Sequence, residues 1–153
     1  MKKYFYWYSW VVTFIAVFVP TCSFSQENNI SGLWVGYNTQ ESDGSYSSKY
    51  KFEIYINQKD SVVIGRTYAT VGSIFAEMEL VGKLIDGKYL QFQETKVIDF
   101  KAEDGMEWCI KTGILTLTKI ENQWHLRGSW KGTTSFSDCI PGKVFLNKVE
   151  PRA

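Results

Sequence analysis

The chain is poor in the residues that most chemistry draws on. It has a single histidine, His125, three cysteines and three prolines. With one imidazole and no C-x-x-C spacing, a zinc site built from thiolates and histidine has no support. No Gly-x-Ser-x-Gly elbow, phosphate-binding loop or dinucleotide fingerprint occurs, so no motif marks a hydrolase or a nucleotide enzyme. There is no Lys/Arg run to suggest nucleic acid or anionic lipid. There is also no long acidic or low-complexity tract of the kind that keeps an adaptor disordered. No stretch of ten or more residues carries a convincing helical period. An enzyme therefore ranks behind two noncatalytic readings, and no cofactor is expected.

What is present begins with an export signal. Lys2 and Lys3 precede residues 4–19, which carry no charge; Pro20 ends the run and "TCSFSQ" follows. This is the pattern of a cleaved signal peptide spanning residues 1–25. As a helix the apolar run would span roughly 24 Å, short of the roughly 30 Å hydrocarbon core. Ser23 and Ser25 take the small-residue positions, so cleavage after Ser25 leaves Gln26 first. That ending resembles signal sequences of secreted Bacteroidota proteins. The alternative is a lipoprotein anchored through Cys22, and a membrane becomes a partner only in that case. Pro20 and Thr21 depart from the lipobox pattern.

Residues 26–153 form a single domain. Removing Lys2 and Lys3 leaves 15 of the 17 basic residues against 16 acidic ones, a net charge of −1. Cys109 and Cys139 are then a pair in an oxidising compartment, secreted or periplasmic, and a disulfide between them is expected. Closing a loop of about thirty residues would stabilise the fold by about 3–4 kcal/mol.

Apolar residues recur with period two. Tyr50, Phe52, Ile54 and Ile56 share one face of "YKFEIYIN"; Ala76, Met78, Leu80, Gly82 and Leu84 share one face of "FAEMELVGKL". Trp124, Leu126, Gly128 and Trp130 do the same in "WHLRGSWKG". Asp86-Gly87 marks a type I′ hairpin. The reading is all-β: about eight antiparallel strands in an up-and-down β-barrel, with a β-sandwich as the alternative. Glycines inside the strand runs favour the barrel, because they permit sharp coiling.

Gly32-Leu33-Trp34 opens the first strand. With the meander and the export signal, it resembles the calycin-type barrels, the lipocalin and avidin group. The resemblance implies that Trp34 packs across the barrel floor. The chain is shorter than typical lipocalins and has no clear counterpart of their Thr-Asp-Tyr loop. It also lacks the avidin set of ligand-contacting tryptophans, so neither hydrophobic-ligand nor biotin binding carries over. The C-terminal pattern Trp108-Cys109, Leu126-Arg127-Gly128-Ser129-Trp130 and Cys139-Ile140-Pro141-Gly142 is similar to uncharacterised secreted domains of Bacteroidota.

The residues with ligand-binding potential are Trp34, Asn38, Arg66 and Glu94; no metal site is expected. Trp34 reads first as a core plug, and Asn38 as either a mouth residue or a turn residue. Glu94 follows Leu90 and Phe92 on one strand face. If that face points inward, Arg66 is its partner across the barrel; otherwise Glu94 ends its strand in water. Glu103, Asp104 and Glu107 miss the EF-hand spacing and read as a solvated loop. His125 lies on a polar face. The first functional expectation is a noncatalytic barrel binding a small apolar or aromatic ligand. The alternative is a filled barrel acting as a structural or interaction module toward another envelope protein. The sequence predicts a mature chain beginning at Gln26: intact-mass measurement of the exported protein should return that mass, without lipid on Cys22.

Overall fold

The computed structural model describes residues 28–41 and 47–150. The signal segment, Cys22 and Gln26 lie outside the described residues. Eight strands run in chain order: β1 (Gly32–Glu41), β2 (Ser47–Lys59), β3 (Val62–Val71), β4 (Ile74–Ile85), β5 (Tyr89–Lys101), β6 (Ile110–Ile120), β7 (Gln123–Thr133) and β8 (Gly142–Lys148). Each pairs antiparallel with the next, and β8 pairs with β1, so the sheet closes into an up-and-down barrel. The barrel reading holds and the sandwich is excluded.

Local chemistry sets the hairpins. Asp86 and Gly87 both take positive φ (52° and 61°), and the Lys88 N–H donates to Ile85 O at 3.0 Å. That is the turn the Asp-Gly pair predicts. Glu121 and Asn122 take the same conformation at the β6–β7 turn.

The alternation turns one face of every strand inward. Phe52, Ile54 and Ile56 of β2, Met78, Leu80 and Leu84 of β4, Leu90 and Phe92 of β5, and Leu115 of β6 are all buried. All of these but Met78 form one cluster with Trp34, Leu126, Trp130, Val144 and Leu146, so large side chains fill the interior. Inward glycines let neighbouring strands close on one another. A Cβ on Gly36 would stand 2.0 Å from Phe145 O, and one on Gly128 would stand 2.0 Å from Ile114 O. Any other residue at these points would push the strands apart.

Trp34 is fully buried, and its indole N–H donates to Ile30 O at 2.8 Å. Leu117, Trp124 and the Lys148 side chain surround it at the same end of the barrel. The tryptophan therefore closes one end as the sequence suggested. Asn38 lies four residues further along β1, toward the other end.

Cys109 and Cys139 are bonded, with Cα atoms 6.3 Å apart. The bond ties the segment before β6 to the segment before β8 and is consistent with an extracellular or periplasmic location. Trp34→Ala should lower unfolding stability by about 3–5 kcal/mol, the usual cost of truncating a large buried ring. Denaturant titration of the oxidised protein checks this; wild-type stability would show that the ring does not serve as the floor.

Candidate functional site

The β5–β6 junction organises the open end. Its ladder runs from Tyr89 opposite Thr116 to Gln93 opposite Thr112 and stops there. β5 continues to Lys101 against β4 alone, with register irregularities at Glu77/Met78 and Glu79/Leu80 of β4. These shifts leave Thr95 and Ile98 of β5 without partners in the ladder. Such bulges bend a strand and re-aim its side chains.

Glu94 sits where the ladder stops, and its carboxylate takes over the pairing. Oε2 accepts the Lys111 backbone N–H at 2.8 Å, the donor next in line. The Lys111 ammonium lies 3.4 Å from the same oxygen and donates to Cys109 O at 3.2 Å. Oε1 accepts the Thr67 hydroxyl at 2.6 Å. Glu94 and Lys111 have side-chain exposures of 0% and 5%, so this is a buried ion pair with its lone pairs satisfied. The ammonium also lies 5.6 Å from the ring centres of Phe52 and Trp130.

This corrects the sequence reading of Glu94 and Arg66. Glu94 is inside rather than in water, and its charged partner is Lys111. Arg66 points outward from β3 and pairs with Glu77 of β4, which also accepts from the Tyr68 hydroxyl at 3.3 Å. The bond to Glu77 holds the guanidinium's pKa up. Lys111 is the residue the sequence reading missed. The signal was available: Lys111, Gly113, Leu115 and Leu117 alternate on one face, on which all but the half-buried Gly113 are buried.

Above the ion pair lies a cavity of about 80 Å³, lined by Asn38, Tyr50, Trp108, Lys111 and Trp130 among others. The Trp130 indole N–H donates to Thr39 O at 3.0 Å. The four residues that the sequence offered as ligand-binding candidates thus separate. Asn38 lines this cavity and Glu94 anchors its lysine wall, whereas Trp34 closes the far end and Arg66 is outside. The carboxylates of residues 103–107 do not converge. Glu107 instead caps the 134–137 loop, accepting the Ser135 N–H at 2.9 Å, with Ser135 Oγ 2.8 Å from both its oxygens. Those bonds, the backbone one first, hold its carboxyl below the usual carboxylate range. Among the described residues, no group of three or more His, Cys, Asp or Glu is placed to hold a metal ion. His125 shares a hydrogen bond with Asn147 Oδ1 at 2.6 Å on the exposed surface.

On the flank, a second recess of about 500 Å³ runs beside the part of β5 that has no β6 partner. Val97, Phe100, Met106, Trp108 and Ile110 line it. Phe100 is 59% exposed, and Phe136 and Met106 are also open to solvent.

No protein-family model matches the chain, and no curated protein matches it. The closed eight-stranded barrel is compatible with a calycin-like fold.

Lys111→Met should destabilise by about 3–5 kcal/mol, because it strands a buried carboxylate. Adding Glu94→Gln should restore most of that loss, since the amide oxygen still accepts and no charge remains; thermal and denaturant unfolding measure both. A pH effect should also appear at Glu107. Its carboxylate is more acidic folded than unfolded, so the stabilisation is present above the ordinary carboxylate range and fades as pH falls through the lowered value. The Ser135 amide should lose hydrogen-exchange protection over that acidic window, and Glu107→Gln should weaken the dependence.

Proposed function

We propose that the chain is a noncatalytic, extracytoplasmic interaction module that takes an extended strand from an envelope protein onto the free edge of β5. The observation that carries this reading is the run of residues 94–101, which pairs with β4 but not with β6 and is flanked by the apolar recess at Phe100 and Met106. A sheet edge with open backbone groups and a neighbouring apolar groove is the surface used in strand addition. The lone backbone N–H of Lys111 at the head of the gap is already satisfied by Glu94, which leaves the remainder of the β5 edge for a partner.

The packed interior supports the same reading over a carrier of apolar or aromatic ligands. Ligand pockets run from roughly 300 to 1,000 Å³, against about 80 Å³ at this barrel's mouth. The signal-like residues 1–25 and the disulfide support export. The Gly-x-Trp opening supports a relationship to the lipocalin and avidin barrels in architecture, with Trp34 as floor, and without their ligands.

The test is photocrosslinking in producing cells. A photoreactive residue replacing Phe100 should give one discrete adduct, and mass spectrometry should place its far end in an extended segment of the partner. The same residue replacing Ile64, on the outer face of β3, should give none. Equal labelling from both positions, or none from either, would overturn the reading. Release of a stoichiometric apolar molecule on unfolding the purified protein would favour the carrier instead.

A further inference from the structure

The barrel satisfies its buried polar atoms with care, except in one place. The indole N–H groups of Trp34 and Trp130 each meet a backbone carbonyl, and both oxygens of Glu94 are engaged. Among the described residues, two buried side-chain atoms have no hydrogen-bond partner: Asn38 Oδ1 and Trp108 Nε1. Both residues line the mouth cavity. One atom is an acceptor and the other a donor. Asn38 is only 2% exposed, so its carbonyl has no outlet to bulk solvent. Leaving such groups unpaired is costly, and natural structures rarely do it without a use.

The cavity's electrostatics narrow what fits. Its one buried cation, Lys111, is met by the Glu94 carboxylate, the Cys109 carbonyl and the faces of two rings. The other charge on the lining, the Glu107 carboxylate, is held by the Ser135 N–H and hydroxyl, so no unpaired cation remains to repay the desolvation of an anion. Three walls are flat rings, Tyr50, Trp108 and Trp130, and Gln40, Ala69 and Met106 fill in between them. The ligand called for is small, planar and neutral, with an N–H to give Asn38 and an oxygen to accept from Trp108. A primary amide has that chemistry. A carboxylate of the same shape has only acceptors and would oppose the Asn38 carbonyl.

We propose that the mouth cavity binds a small neutral primary amide between Asn38 and Trp108. This site shares the Trp108 wall with the flank recess, but it needs neither the free edge of β5 nor Phe100.

The probe is acetamide, titrated into the oxidised, ¹⁵N-labelled protein while the indole N–H resonances are followed. The Trp108 resonance should move and saturate, with a dissociation constant of about 1–10 mM, as befits so few atoms. The resonances of Trp34 and Trp124, at the far end, should stay fixed. Acetate should bind at least about tenfold more weakly, because it lacks the donor. Asn38→Leu should abolish the response and raise the unfolding midpoint, since it removes an unpaired buried acceptor. Trp108→Phe, read from the Trp130 resonance, should weaken acetamide at least about tenfold, and this second variant stands if the first misfolds. A cavity that only holds tightly bound water would give no saturable shift. That result, equal binding of acetate, or undiminished affinity in the variants would overturn the proposal.

Discussion

The open end of this barrel depends on one carboxylate. Glu94 sits where β5 parts from β6 and accepts both the backbone N–H and the ammonium of Lys111, while the Thr67 hydroxyl closes its other side. A side chain here does the work of a main-chain carbonyl. Without it, the ladder would either continue and seal the flank, or leave an unpaired donor inside the protein. With it, the two strands separate cleanly. The separation makes room for Trp108 and the Cys109–Cys139 bond, and it leaves residues 94–101 of β5 with a bare edge. Mouth cavity and flanking recess are two results of the same substitution of side chain for backbone.

Much of the fold was written in the alternation. A period of two in "YKFEIYIN" and "FAEMELVGKL" identifies inward faces, and the structure buries every residue on them except Tyr50 and Gly82, which are half-buried. Asp86-Gly87 declares its own turn because few other pairs accept two positive φ angles. Cys109 and Cys139 declared each other by being alone. These features are local, or need only counting.

The site was less legible because its members come from different strands. Glu94 was visible as a charge on an apolar face, but its partner depended on which strands become neighbours. Arg66 was the attractive candidate by charge, yet on β3 the inward positions are Val63, Thr67 and Ala69, which puts Arg66 outside. Lys111 was overlooked because a lysine near a cysteine and a glycine reads as surface. Only the inward face it shares with Leu115 and Leu117 reveals it. The irregularities in β5 were hidden for a related reason. They consist of Thr95 and Ile98 stepping out of register with β4, an effect that belongs to a pair of strands and to neither alone.

The seam between β1 and β8 gives the barrel a particular vulnerability. Trp34 stands opposite Lys148, and Asn38 opposite Val144, across more than a hundred residues of chain. Every other junction joins sequence neighbours, so this one closes the longest loop and forms against the largest entropy. Until it forms, the chain is an open sheet with two raw edges, and the floor tryptophan has no wall on one side. Losing β8 would therefore do more than narrow the cylinder by one strand; it would turn a ring back into a ribbon.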